Sequence, residues 1–163
     1  MTNLLHGQEV VEIGLRIETN GRNFYLKAAA MAKSADVRSL FEFLADQERI
    51  HIEHFAAVMR SGGSYSPPEA IAEEQMAYIK ALGDMSIFTP AFPPEQAAIE
   101  AGTPEAALGI AINVEKDSIL FYRNIEDFVP QKEGETVREL RRQEEMHLRL
   151  ITEKLRELKA KAL

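Results

Sequence analysis

The sequence of 163 residues contains no cysteine and no tryptophan, and aromatic residues make up only 7% of it. The absence of cysteine excludes disulfide bonds, thiolate nucleophiles, zinc fingers and iron–sulfur clusters from this sequence. Acidic residues outnumber basic ones, 26 against 19, and the net charge of −7 leads us to expect no nucleic-acid partner. A metal site here must therefore use oxygen and nitrogen ligands, which the acidic residues and four histidines can supply.

Long apolar runs are also missing. No stretch approaches the roughly 18 apolar residues of a membrane-spanning helix, so we expect no membrane partner. The first residues, MTNLLHGQEVVE, lack the basic and apolar regions of a secretory signal, and we expect a cytoplasmic protein. Hydrophobic residues make up 45% and charged residues 28%, as in ordinary globular proteins. The length predicts a single domain over residues 1–163.

Glycine and proline cluster at a few places and divide the chain into helical segments. The spacing of apolar residues predicts four long helices, over residues 8–33, 36–60, 104–129 and 135–160. The second is expected to end at Gly62-Gly63 and the third at Pro130. Thr103 followed by Pro104 is a typical helix start, with a capping hydroxyl and a proline at the first helical position. A short polar loop from Gln131 to Gly134 is predicted before the fourth helix.

The connection between the second and third helices is long and differs from them in composition. Pro67-Pro68 is predicted to begin a shorter helix that ends at Gly83, and the proline-rich piece MSIFTPAFPP after it is predicted to be an irregular strap. Short loops join the other long helices into two antiparallel hairpins, and the long connection lets the third helix start at the same end as the second. The expected fold is therefore all-α, a ferritin-like four-helix bundle with one long crossover containing a short extra helix.

An internal repeat relates the two hairpins. Each half carries one glutamate on its first helix and a Glu-x-x-His pair, preceded by glutamine, on its second. These six residues are Glu18, Glu48, His51, Glu115, Glu144 and His147. A Phe-Tyr pair follows the single glutamate at the same interval in each half and ends at Tyr25 and at Tyr122. These tyrosines could either hydrogen-bond carboxylates or pack in the core, and the repeat favours the first role.

The four glutamates of the repeat lie on helix faces that are otherwise largely apolar and must face the bundle core. Glu42 has polar neighbours on its helix face and is expected to be solvated. Four buried carboxylates repel one another, and burying each one is costly unless protons or cations neutralise it. Two divalent ions match four carboxylates in charge, and Glu-x-x-His places both side chains on one helix face within reach of one ion.

The alternative reading is a set of surface ion pairs. A single Glu-x-x-His occurs by chance in a sequence this rich in glutamate, and taken alone it is more typical of an exposed helix face. The matching register of the repeat, the apolar neighbours and the additional glutamate in each half together favour a shared metal site with all six residues as ligands.

These residues resemble the ferritin-like di-iron carboxylate superfamily, and most closely its rubrerythrin branch. The resemblance implies two iron ions held by the six residues of the repeat, with Glu48 and Glu144 as bridging ligands. Manganese or zinc could take the place of iron in the protein as isolated. The resemblance further implies a di-iron oxidoreductase that reacts with peroxide or O₂.

Two departures from the family bear on this expectation. Typical rubrerythrins carry a four-cysteine rubredoxin domain that supplies electrons, so a separate electron donor is expected for this cysteine-free sequence. They also carry a further glutamate on the third helix, where this chain has Ser118. Alternative functions are a ferroxidase or iron-sequestering protein and a metal-binding scaffold without redox chemistry. We also expect a homo-oligomer, a dimer.

Overall fold

The computed structural model of the chain describes residues 2–61, 73–126, 129 and 131–163. Its helices are α1 (Thr2–Met31), α2 (Ala35–Ser61), α3 (Glu73–Asp84), α4 (Pro94–Ala101), α5 (Pro104–Ile125) and α6 (Gln131–Lys161). Helix α1 packs along α2, and α5 packs along α6, forming two hairpins that contact each other through α1 with α5 and α2 with α6. The predicted ferritin-like four-helix bundle with a long crossover is confirmed. No helix in the described ranges combines the length and apolar character of a membrane span.

The helix ends differ from the predicted ones in several places. Helix α1 begins earlier, at Thr2, and α5 ends earlier, at Ile125. The predicted polar loop over residues 131–134 is wrong, because α6 already begins at Gln131. Gly134 is buried in the first turn of α6, where a Cβ atom would lie 3.3 Å from the carbonyl oxygen of Glu126. This glycine therefore permits close packing of α6 against the end of α5. The predicted stops at Gly62-Gly63 and Pro130 lie outside the described residues.

The crossover contains more helix than the sequence indicated. The predicted start at Pro67-Pro68 lies outside the described residues, while α3 ends at Asp84, next to the predicted end. Residues 85–93 are irregular, as predicted for the strap, with one isolated bridge between Thr89 and Phe92. Helix α4 was not predicted, although a proline at its first position followed by Glu95 is a typical helix start. Both α3 and α4 pack against α1 and α5.

Two apolar clusters fill the bundle. The first includes Phe24, Phe41, Leu44, Leu108, Val114 and Ile151. The second includes Ile13, Ile17, Phe55, Phe121, Ile125 and Leu140. Along each of the four long helices, buried glutamate or Glu-x-x-His side chains lie between the residues of one cluster and those of the other. The bundle therefore carries a polar layer across its middle, with apolar packing on both sides.

Candidate metal centre

The polar layer contains all six residues of the sequence repeat. Helices α1 and α5 each contribute one glutamate, and α2 and α6 each contribute a Glu-x-x-His pair, because helical periodicity puts these positions on the core-facing side. None of the six side chains is more than 1% exposed. Glu42, on the opposite side of α2, is exposed as predicted. The layer is thus a buried site with four carboxyl groups and two imidazoles.

Four of the six residues meet closely at the centre of the layer. Potential ligand atoms of Glu48, His51, Glu144 and His147 all lie within 4.8 Å of one another. The rings of His51 and His147 stack, with their centroids 5.4 Å apart and an angle of 17° between their planes. Two metal ions in one site are roughly 3.5–4 Å apart, so both rings can face one such pair.

The two remaining glutamates lie beside this group, one in each half. An oxygen of Glu18 lies 3.4 Å from Nδ1 of His51. An oxygen of Glu115 lies 3.7 Å from Nδ1 of His147. Each half of the repeat therefore brings its single glutamate next to its own histidine.

The two halves differ in their hydrogen bonds, although they are alike in sequence. The carboxyl group of Glu144 contacts both imidazoles, with Oε1 2.9 Å from Nδ1 of His51 and Oε2 3.0 Å from Nδ1 of His147. Neither oxygen of Glu48 has a hydrogen-bond partner among the described residues. The Oε2 atom of Glu48 lies 3.9 Å from Nδ1 of His51, which is too far for a hydrogen bond. Glu144 is thus the carboxylate that organises both imidazoles.

The electrostatics of the layer follow from burial and from these contacts. Burial opposes the charged form of His51, but the charge of Glu144 and the hydrogen bond to it dominate and raise the pKa of His51 to about 11. Burial also opposes the charged form of His147, but the neighbouring carboxyl groups of Glu115 and Glu144 raise its pKa to about 9. Burial would raise the pKa of Glu144, yet the two imidazoles outweigh it and the pKa is lowered.

The other carboxyl groups of the layer hold protons more tightly than usual. Burial and the charge of Glu144 raise the pKa of Glu48 well above its ordinary value. The same two causes raise the pKa of Glu115 to about 8, although His147 acts in the opposite direction. The layer therefore needs positive counter-charge, which protons or metal cations can supply.

The side chain of each tyrosine in the repeat reaches the glutamate of the other half. The hydroxyl of Tyr25 on α1 donates a hydrogen bond to Oε1 of Glu115 on α5. Tyr122 on α5 lies near Glu18 on α1, and burial together with the charge of Glu18 raises the pKa of its hydroxyl. In the described part of the chain the Tyr122 hydroxyl has no hydrogen-bond partner. The repeat therefore brings each tyrosine to the single glutamate of the other half.

Two further contacts were not predicted from the sequence. The side-chain oxygen of Gln143 lies 3.0 Å from Nε2 of His51, and its amide nitrogen donates to Glu139 at 3.2 Å. The ring of Phe43 meets the ring of His147 edge-on, with centroids 5.9 Å apart. A signal for Gln143 was present, since a glutamine precedes the glutamate of both Glu-x-x-His pairs. No repeat in the sequence pointed to Phe43, whose side chain is 40% exposed on α2.

The donor set fits a pair of divalent metal ions. Both oxygens of Glu18, both oxygens of Glu48 and one oxygen of Glu115 are buried without a hydrogen-bond partner within the described ranges. A buried carboxylate oxygen with no donor costs free energy, and a cation removes that cost. Carboxylate and imidazole ligands suit iron, manganese and zinc. The residues present are therefore compatible with the divalent metal ions that the family resemblance implied.

A helical bundle with a buried layer of glutamates and Glu-x-x-His pairs defines the class of ferritin-like carboxylate metal proteins. The family model described as Rubrerythrin matches residues 9–159, which is most of the chain. The chain belongs to the rubrerythrin family. Comparison with curated proteins and with solved structures gives no match.

Proposed function

We propose that this chain is a non-haem di-iron protein that reduces peroxide or O₂. The proposed iron ligands are Glu18, Glu48, His51, Glu115, Glu144 and His147. The observation that supports the proposal is the number of unsatisfied hydrogen-bond acceptors: five buried carboxylate oxygens lack a hydrogen-bond partner among the residues described. Such a layer is costly to keep in a core unless it binds cations.

Each residue has a proposed role that follows from its position. Glu48 and Glu144 belong to the central group with both imidazoles, so they would hold the metal ions together with His51 and His147. Glu18 and Glu115 each lie beside one histidine and serve the ion of that half. Tyr25 orients Glu115 through its hydrogen bond.

The protein surroundings hold the site dry and in place. The apolar clusters on both sides of the layer exclude bulk water, which strengthens every electrostatic interaction within it. Iron, when bound, supplies the electrons that reduce an oxidant. Because the sequence has no cysteine for a thiolate-bound electron-transfer centre, we propose that a separate protein returns these electrons.

We also propose that the chain forms a homodimer. Large apolar side chains remain partly exposed on the long helices and could be covered by a second copy: Leu26, Phe43, Leu120 and Met146. Sedimentation of the purified protein tests this proposal, since a monomer at micromolar concentration would contradict it.

Metal analysis followed by anaerobic ferrous loading tests the proposed function. We expect repeated consumption of peroxide when a reductant is present. A single round of iron oxidation, with no turnover when reductant is added, would instead identify a ferroxidase or iron-sequestering protein. Full metal occupancy with no reaction toward either oxidant would identify a scaffold without redox chemistry.

A further inference from the structure

A chain of hydrogen bonds leads from the surface of α6 to one of the two imidazoles. The side chain of Glu139 is exposed, and its Oε1 atom accepts a hydrogen bond from the amide nitrogen of Gln143, at 3.2 Å. The side-chain oxygen of Gln143 lies 3.0 Å from Nε2 of His51. At the other edge of the ring, Nδ1 of His51 lies 2.9 Å from Oε1 of Glu144. Glu139, Gln143 and His51 thus form a carboxylate–amide–imidazole chain that ends at a proposed metal ligand.

The carboxylate at the outer end fixes the direction of each hydrogen bond in this chain. A carboxylate only accepts hydrogen bonds, so the NH₂ group of Gln143 faces Glu139 and its oxygen faces the ring of His51. The other oxygen of Glu139 lies 3.6 Å from Nη1 of Arg142, in an ion pair on the same helix. Because an amide oxygen also only accepts, Nε2 of His51 carries the proton of its hydrogen bond. Nδ1 is then the nitrogen that faces the carboxyl groups and can bind a metal ion.

The first half of the repeat has the amide but lacks the carboxylate. Gln143 follows Glu139 by four residues. Gln47, the counterpart of Gln143, follows Phe43 at the same interval. Phe43 places an aromatic ring edge-on against His147, and the buried Nε2 atom of His147 makes no hydrogen bond to any residue described. One difference in sequence, glutamate against phenylalanine, therefore accompanies the difference between the two imidazoles.

A hydrogen bond at the outer nitrogen changes an imidazole as a ligand in two ways. It fixes the orientation of the ring, and it makes the other nitrogen a stronger donor to a metal ion. Loss of such a partner typically lowers metal affinity about 10–100-fold. His51 has this hydrogen bond and His147 does not, so the two sides of the polar layer are not equally prepared for metal binding.

We propose that Glu139 and Gln143 are positioning residues that make the two metal positions unequal, so that the ion beside His51 binds before the ion beside His147 and more tightly. This inference rests on the proposed di-iron function. The six proposed ligands follow the sequence repeat, whereas the chain that ends at His51 has no counterpart in the other half. The difference between the two positions therefore comes from residues outside the ligand set.

Variants that keep one imidazole each measure the two positions separately. His147→Ala leaves the position beside His51, and His51→Ala leaves the position beside His147. Cobalt(II) titration in competition with a chelator, followed by visible absorption, gives the affinity of the remaining ion. We expect this affinity to be about tenfold or more higher in His147→Ala than in His51→Ala. Equal affinities or the reverse order would overturn the inference, whereas a wild-type protein that binds no metal would refute the proposed function.

The chain itself is tested with all six ligands in place, which decides the question if the histidine variants do not fold. We expect Glu139→Ala and Gln143→Leu to weaken binding of the first cobalt ion about fivefold or more and to change that of the second by less than about threefold. Glu153→Ala, at another exposed position of α6, is the control and should bind both ions as the wild type does. Equal weakening of both binding steps, or unchanged binding in either chain variant, would overturn the inference.

Moving the carboxylate to the other half tests whether the chain, and not its location on α6, strengthens the ligand. Phe43→Glu places a carboxylate four residues before Gln47, and Phe43→Leu removes the same ring without adding a charge. We expect Phe43→Glu to bind the second cobalt ion about threefold or more tighter than Phe43→Leu, with less than about twofold change in the first. Equal strengthening of both steps would indicate a general effect of charge and would contradict the role of Glu139.

A spectroscopic readout reports the order of loading directly. With one equivalent of ferrous iron under anaerobic conditions, we expect the wild-type protein to show mainly one quadrupole doublet in its Mössbauer spectrum, from iron beside His51. Gln143→Leu should show two doublets of comparable area. Two equal doublets in the wild type, or a single unchanged doublet in Gln143→Leu, would contradict ordered loading.

Discussion

The hydroxyl of Tyr25 on α1 donates a hydrogen bond to the carboxyl group of Glu115 on α5. This bond joins the first half of the sequence repeat to the second, inside the buried polar layer. The corresponding hydroxyl, that of Tyr122, faces the charge of Glu18 without a hydrogen-bond partner in the described residues. The two tyrosines thus occupy equivalent positions in the repeat but make different contacts.

Replacing these tyrosines by phenylalanine should have unequal effects on the stability of the metal-free protein. Tyr25→Phe removes a donor from a buried carboxyl group and should lower the free energy of unfolding by about 1–3 kcal/mol. Tyr122→Phe removes a hydroxyl that makes no hydrogen bond within the described residues and should change the free energy of unfolding by less than about 1 kcal/mol. Urea denaturation of the two variants measures the difference, and equal losses would contradict the assigned hydrogen bond.

The two central glutamates should respond oppositely to neutralisation. Glu144→Gln removes the negative charge beside both imidazoles and replaces one of the two accepting oxygens by an NH₂ donor, so it should destabilise the metal-free protein by about 3–5 kcal/mol. Glu48→Gln removes a carboxyl group without hydrogen-bond partners in the described chain and should leave stability unchanged or increase it. Glu42→Gln, at an exposed position of the same helix as Glu48, is the matched control.

Both central variants should nevertheless impair metal binding. A carboxylate shared by two ions serves both, so Glu48→Gln and Glu144→Gln should each lose the second metal ion, whereas Glu42→Gln should bind as the wild type does. Calorimetric titration with ferrous or manganous ions measures the stoichiometry. Two ions bound with unchanged affinity in either central variant would show that the ligand assignment is wrong.

The stability of the metal-free protein should fall as the pH rises from about 6 to about 9. The pKa values of Glu115, His51 and His147 are raised above their ordinary values, so the folded chain binds more protons than the unfolded chain in this range. The lowered pKa of Glu144 affects stability only at acid pH, because the ordinary pKa of a glutamate already lies below this pH range.

Metal loading should reverse this pH dependence. Metal ions compete with the same protons, so their affinity and the stability of the loaded protein should increase over the range in which the metal-free protein loses stability. Thermal unfolding of both forms across the pH range measures the two slopes. Slopes of the same sign would argue that the titrating groups do not hold the metals.

Gln143 should position His51 for metal binding. Its side-chain oxygen accepts from Nε2 of His51, which leaves Nδ1 facing the carboxylates. Gln143→Leu should therefore weaken metal binding about 10–100-fold. Gln47→Leu, at the corresponding position of α2, should have a smaller effect, since Nε2 of His147 has no partner in the part of the chain described. Equal losses of metal affinity in Gln143→Leu and Gln47→Leu would contradict a positioning role for Gln143.

The sequence predicted the bundle and the buried faces because both depend on periodicity. Helical spacing alone placed Glu18 and Glu48 towards the core, and the structure buries them. It could not predict that Glu144 contacts both imidazoles while Glu48 contacts neither closely, since that difference depends on how the two hairpins pack. Gly134 was misread as a loop residue because its role, a close contact with Glu126, involves another helix.

The most direct test of the proposed di-iron centre is an anaerobic titration of the metal-free protein with ferrous iron, followed by oxidation and Mössbauer spectroscopy. We expect two iron ions per chain and, after oxidation, a magnetically coupled pair of ferric ions. Glu42→Gln should give the same result, and Glu144→Gln should not. One iron per chain, or two ions that show no magnetic coupling in the wild-type protein, would contradict a shared site.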